Sequence, residues 1–310
     1  MSKKKIALIF PGQGAQTVGM GKEFYDSFSE AKETFDSADN IIPGLSDVIF
    51  NGSQEKLTST AFCQPSIFTF SIAVLRVLEK NEVYQNLSPQ FTCGLSLGEC
   101  TSLCSSGVLS FEDSLKLVEK RSGFMEQATQ QSKGAMAAVI GFDQDDLIKI
   151  CDRTGAEVAN FNSPDQIVIT GEESKVKQAS IEIKEAGAKR VIPLEVSGAF
   201  HSSLMQPAVD PFKQELASFN FRDAKFSILS NVDAQPTQDP QIIKKNLSKQ
   251  ITSSVQWVKS IEQIASQGVT DFLEIGPGTV LKGLIRKINR DLTVYNIQKP
   301  ADIESLSRLN

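Results

Sequence analysis

Gly94-Leu95-Ser96-Leu97-Gly98 is a G-x-S-x-G turn, a pattern that sets a serine on a sharp corner with a strand before it and a helix behind it. Phe91-Thr92-Cys93 reads as the strand, and residues 97 to 106 read as the helix, ending near Gly107. At such a corner the serine hydroxyl is exposed, and the backbone N–H of the next residue can face a developing oxyanion. Serine alone is inert near neutral pH and needs a base, most often imidazole. The chain contains a single histidine, His201, so Ser/His chemistry has one available pairing. The motif alone is equally compatible with a glycine-rich turn and an unrelated histidine.

The 310 residues and 33.8 kDa allow one large domain carrying a smaller insertion. Hydrophobic residues at 40% and charged residues at 22% are ordinary for a globular chain. A net charge of −5 and a pI near 5.2 leave no electrostatic footprint for nucleic acid. Cys63, Cys93, Cys100, Cys104 and Cys151 form an odd set without C-x-x-C spacing, which suits a reducing compartment better than a disulfide framework. Cys100 and Cys104 lie one helical turn apart and read as apolar packing, and no metal site is expected with one histidine to contribute. Behind Lys3-Lys4-Lys5 the apolar run Ile6 to Phe10 stops at Pro11-Gly12, too short for a signal peptide or a membrane span. A cytoplasmic protein, or an organelle protein shorn of its targeting segment, is expected.

Residues 5 to 10 read as a buried strand, and Pro11 to Gln16 as a glycine loop before a helix. The glycine spacing is neither G-x-G-x-x-G nor a P-loop, which argues against nucleotide binding. Residues 61 to 78 read as an apolar helix entered through Gln64-Pro65. Ser110-Phe111-Glu112-Asp113 marks a helix start. On that helix Leu117, Arg121, Phe124 and Ala128 share one stripe. Arg121 either snorkels, pairs with an internal carboxylate or waits for an anionic ligand.

From 129 to 198 the rhythm changes to strand 134–142, helix 143–152, strands 156–161 and 166–170, helix 172–186 and strand 190–196. That βαββαβ order is the ferredoxin-like unit, which can be inserted in a larger domain. Beyond it, α/β alternation returns with a strand at 225–231, helical segments over 242–265, a strand at 271–275 and a helix to about 287. The expected division is 1–128 and 199–310 for a large α/β domain, with 129–198 as the insert.

Four segments match one pattern in order and spacing: Phe10-Pro11-Gly12-Gln13-Gly14-Ala15-Gln16; Gly94 to Glu99 with Arg121 downstream; Gly198-Ala199-Phe200-His201-Ser202; and Glu274-Ile275-Gly276-Pro277-Gly278. Asn162-Ser163-Pro164 and Gln250 to Trp257 also fit. The chain resembles the malonyl-CoA:acyl-carrier-protein transacylases over nearly its whole length. The resemblance implies an α/β-hydrolase-like large domain around the insert. It implies Ser96 as nucleophile, His201 as general base, and the backbone N–H groups of Gln13 and Leu97 as the oxyanion hole. It further implies Arg121 as the clamp for the malonyl carboxylate, Gln64 near the acyl pocket and Gln250 as the group orienting the imidazole. Leu95 stands where family members commonly have histidine, which bears on the pocket behind the serine.

The implied reaction moves malonyl from malonyl-CoA, through a malonyl-serine ester, to the phosphopantetheine thiol of acyl carrier protein. It implies no bound cofactor or metal and no membrane or nucleic-acid partner, and it is compatible with a monomer. An acidic carrier calls for a local basic patch, with Lys189, Arg190, Lys282, Arg286 and Lys287 as candidates. Two other readings share the serine turn. An α/β-hydrolase esterase or thioesterase expects its histidine near the C-terminus, unlike His201. In a non-catalytic acyl-binding protein the turn would be architecture only.

Overall fold

A computed structural model describes residues 3–309. Its strands are β1 (Lys4–Phe10), β2 (Leu87–Gly94), β3 (Gly134–Ile140), β4 (Glu157–Ser163), β5 (Gln166–Glu172), β6 (Arg190–Pro193), β7 (Ser227–Leu229), β8 (Pro236–Thr237), β9 (Asp271–Ile275) and β10 (Thr293–Ile297). The fold is mixed α/β, with two sheets. The larger runs β10-β9-β1-β2-β7-β8, parallel except for the β7/β8 pair. Helices cover both faces, so its central strands are apolar on both sides. Along β1, Ile6, Leu8 and Phe10 point into one core cluster while Ala7 and Ile9 point into another, the period-two alternation of a strand.

The smaller sheet is antiparallel, in the order β4-β5-β3-β6. On one face Val139, Ile167 and Ile169 pack under the helices Gln144–Thr154 and Glu173–Glu185. On the other, Met136, Ala138 and Val168 join the core of the large sheet. The same three residues line the cleft that also holds Ser96 and His201, so one wall of the site is the underside of the small sheet.

The structure departs from the sequence expectations at several places. The helical segments expected over 242–265 are two helices, Pro240–Gln250 and Trp257–Ser266, but the stretch joining them is not a simple turn. Between them Val255 pairs with β4, accepting from Phe161 N–H at 2.9 Å and donating to the Ala159 carbonyl at 2.8 Å. That pairing holds the chain extended between the two helices, at a stretch of weak helix formers. The strand expected at 225–231 keeps only Ser227–Leu229, and the one expected at 190–196 stops at Pro193. Strand β10 has no counterpart in the sequence reading. The helix Thr60–Glu79 includes a stretch, Ala61–Glu79, long and apolar enough to cross a bilayer, but 83% of its most apolar window is buried inside the fold.

Candidate active site

Strand β2 ends at Gly94, and the helix Leu97–Ser105 begins three residues later. Ser96 takes φ 56° and ψ −100°, a conformation that costs of order 1–3 kcal/mol for a residue with a Cβ. The corner is tight enough to require its glycines. A Cβ on Gly98 would stand 2.1 Å from the Phe10 carbonyl oxygen, and one on Gly94 would stand 2.0 Å from the Gly98 carbonyl carbon. A Cβ on Gly12 would stand 2.4 Å from the Leu95 carbonyl oxygen, so the loop after β1 lies directly against the corner. This contact brings Gln13 to the same cleft as Ser96.

His201 reaches the corner from the loop after β6. Its Nε2 lies 2.8 Å from Ser96 Oγ, and its Nδ1 lies 2.9 Å from the Gln250 carbonyl and 3.1 Å from the Ser253 carbonyl. Carbonyl oxygens only accept, so Nδ1 carries the proton and Nε2 is left to accept the Ser96 hydroxyl proton. Burial pushes the His201 pKa down to about 4, with the Arg121 charge adding to it and the two carbonyl contacts opposing it. His201 also has positive φ, at 58°, a second strained residue at the same point.

Arg121 projects from the helix Phe111–Thr129 and is fully buried. Its guanidinium donates to Gln64 Oε1 at 2.6 Å, to Ser96 Oγ at 3.0 Å and to Gln250 Oε1 at 2.8 Å. Its Nε is buried without a hydrogen-bond partner. These partners are neutral, so the cation sits in the site with no carboxylate bound directly to it. Of the alternatives left by its helical stripe, snorkelling is excluded by this burial.

The predicted residues Ser96, His201, Gln13, Leu97 and Gln64 line one cavity of about 420 Å³. Arg121 and Gln250 stand behind Ser96. Leu97 is the first residue of its helix, a position whose N–H has no intrahelical acceptor. Leu95 also lines the cavity, giving an apolar wall beside the serine. Gln250 meets the imidazole through its main-chain carbonyl, while its side chain reaches Arg121, the Ser96 carbonyl and Glu99. Glu274, from the fourth matching segment, accepts from Leu281 and Lys282 N–H at 2.9 and 3.0 Å. It thereby anchors the helix Val280–Ile288, whose Val280 and Leu284 form another part of the cavity wall. Among the described residues no group of three or more His, Cys, Asp or Glu could hold a metal ion.

Sequence reasoning missed two residues here. Asn231 accepts from Ser96 N–H at 2.7 Å and donates to the Gly94 carbonyl at 2.7 Å, pinning the corner from both sides. Glu99 was visible only as part of the serine motif, yet its buried carboxylate accepts from Asn231 N–H at 3.0 Å and from Gln250 Nε2 at 2.6 Å. Both join positions more than a hundred residues apart, and no local pattern signals them.

A strained serine on a strand-to-helix corner, one neutral imidazole and a buried cation define a serine acyl-transfer site. The acyl transferase domain family matches residues 7–303. The malonyl CoA-acyl carrier protein transacylase of Bacillus subtilis (strain 168) is 44% identical over 306 residues, covering 97% of this chain and 95% of that protein. The solved acyl-carrier-protein S-malonyltransferase of Bartonella henselae superposes with a TM-score of 0.93 at 38% identity, covering 99% of each chain. A malonyl-transacylase solved in complex with its type II PKS acyl-carrier protein superposes with a TM-score of 0.95 at 34% identity, covering 99% of this chain and 100% of that one. The chain belongs to the acyl transferase family, among the malonyl CoA-acyl carrier protein transacylases.

Proposed function

We propose that this protein transfers malonyl from malonyl-CoA to the phosphopantetheine thiol of acyl carrier protein, supplying fatty-acid synthesis. The observation that carries the reading is the convergence of Ser96, His201 and Arg121 within 3.0 Å contacts at one buried point. Ser96 Oγ attacks the thioester carbon as its proton passes to His201 Nε2. The tetrahedral oxyanion faces the N–H groups of Gln13 and Leu97. The carbon–sulfur bond breaks, the coenzyme A sulfur takes the proton from Nε2, and a malonyl-serine ester remains. The carrier thiol then gives its proton to Nε2 and attacks the ester, and Ser96 recovers its proton as the carbon–oxygen bond breaks. Arg121 holds the malonyl carboxylate through charge-assisted hydrogen bonds, with Gln64 positioning the guanidinium. The Gln250 and Ser253 carbonyls fix the tautomer, the role a carboxylate takes in a Ser-His-Asp triad. A thiol leaves more readily than an amine and thioester exchange needs no redox step, so the chemistry calls for no bound cofactor or metal.

The same reading assigns 1–128 and 199–310 to an α/β-hydrolase-like domain and 129–198 to a ferredoxin-like insert. It is supported by the antiparallel order β4-β5-β3-β6, and it carries a cytoplasmic location. The carrier docks against a surface that includes Lys189 of the insert and Lys287 of the large domain, each 3.9 Å from Asp165, so both parts contribute basic groups to one patch. Transfer to the holo-carrier tests the function. Wild-type protein is expected to form malonyl-carrier, and Lys189→Glu/Lys287→Glu to raise the apparent KM for the carrier while serine acylation is unchanged. Rapid release of free malonate without any carrier requirement would point to an esterase instead.

A further inference from the structure

The helix behind the nucleophile carries an acidic residue that the transfer reaction leaves without a role. Glu99 is 2% exposed and lies one turn after Ser96. Among the described residues it forms no ion pair within 4.0 Å, although the buried Arg121 stands in the same polar cluster. What separates the two is the side-chain amide of Gln250. Its Nε2 donates to Glu99 Oε2 at 2.6 Å and to the Ser96 carbonyl at 3.0 Å, and its Oε1 accepts from Arg121 Nη2 at 2.8 Å. A carbonyl and a carboxylate can only accept, so they fix which end of the amide faces which partner. The oxygen is thereby presented to the guanidinium. The same Glu99 oxygen accepts from Asn231 N–H, and Asn231 holds the backbone on both sides of Leu95.

We infer that Glu99 is a positioning residue that sets acyl selectivity, orienting the Gln250 amide so that Arg121 is aimed at the carboxylate of the incoming acyl group. This deepens the malonyl reading and rests on it. An amide at position 99 can donate as well as accept. It replaces the charge-assisted contact on Gln250 Nε2 with a weaker neutral one, so the amide is held mainly by the Ser96 carbonyl and steers the guanidinium less firmly. The guanidinium then loses its aim although Ser96 and His201 keep their contact. A carboxyl-bearing acyl group suffers from that loss, and a neutral one does not.

The test measures kcat/KM of holoenzyme acylation with malonyl-CoA and with acetyl-CoA for wild type, Glu99→Gln and Gln250→Met. The last variant removes the bridging amide and keeps the carbonyl that holds His201, so the test survives a Glu99→Gln variant that does not fold. The malonyl-over-acetyl preference is expected to fall about tenfold or more in each folded variant, with most of the loss in malonyl KM. An unchanged preference, or equal losses for both acyl groups, would overturn the inference, because a structural defect lowers both together. A wild-type enzyme without malonyl preference would overturn the malonyl reading itself, and the inference with it.

Discussion

Two groups that carry or take up positive charge share the buried space at Ser96. Burial first, and then the Arg121 charge, lowers the His201 pKa to about 4, so the imidazole remains a proton acceptor through the neutral range. Protonating Nε2 removes the base. Acylation should therefore fall only as pH drops through about 4, well below the 6.5 of a free imidazole. Arg121→Ala removes one of the two depressing causes, so the acid limb of kcat/KM moves to higher pH. The same variant is expected to lose malonyl transfer by roughly 100-fold, from about 3 kcal/mol for a charged hydrogen-bonded contact, and acetyl transfer far less. Paired pH–rate profiles for the two acyl groups check both effects, and equal loss for both would contradict the clamp. Ser96 and His201 are legible in the sequence because the serine has a marked turn and the histidine is unique. Arg121 is legible only as a choice among roles, since a helical stripe does not say what stands opposite it. Glu99 and Asn231 are silent because their partners come from distant segments.

Helix and strand boundaries follow local chemistry wherever local chemistry decides them. Ser110 accepts from Asp113 N–H at 3.0 Å, the start that its spacing predicts. The corner at Ser96 is built by close backbone approach, so its glycines are the sensitive points. Gly98→Ala drives a methyl into the Phe10 carbonyl, and either β1 or the helix Leu97–Ser105 must give way. A loss of about 1–3 kcal/mol in stability is expected, with a larger fractional loss of acylation because Leu97 N–H and Ser96 move together. Denaturant melts beside acylation rates measure it, and wild-type values for both would show that the corner tolerates a side chain. Where pairing is non-local the sequence says less. Ile251 to Gln256, rich in β-branched residues and serine, is a weak helix former, but nothing local says that Val255 pairs with β4. That pairing is consequential, since the Gln250 and Ser253 carbonyls that fix the imidazole tautomer lie just before it in the same segment.

Across the whole molecule, the βαββαβ order and the alternation on either side were readable from hydrophobic period and glycine placement. What could not be read is how the two sheets meet. The underside of the small sheet supplies Met136, Ala138 and Val168 to the cleft, and in the sequence these are ordinary strand residues. Their packing leaves the serine in a cavity with apolar walls beside a buried cation. The most direct measurement of this account is the intact mass of the protein after mixing with malonyl-CoA in the absence of carrier. Wild type should gain one malonyl group, lose it when holo-carrier is added, and gain nothing as Ser96→Ala. A malonyl adduct that persists in Ser96→Ala, or its absence from the wild type, would contradict the account.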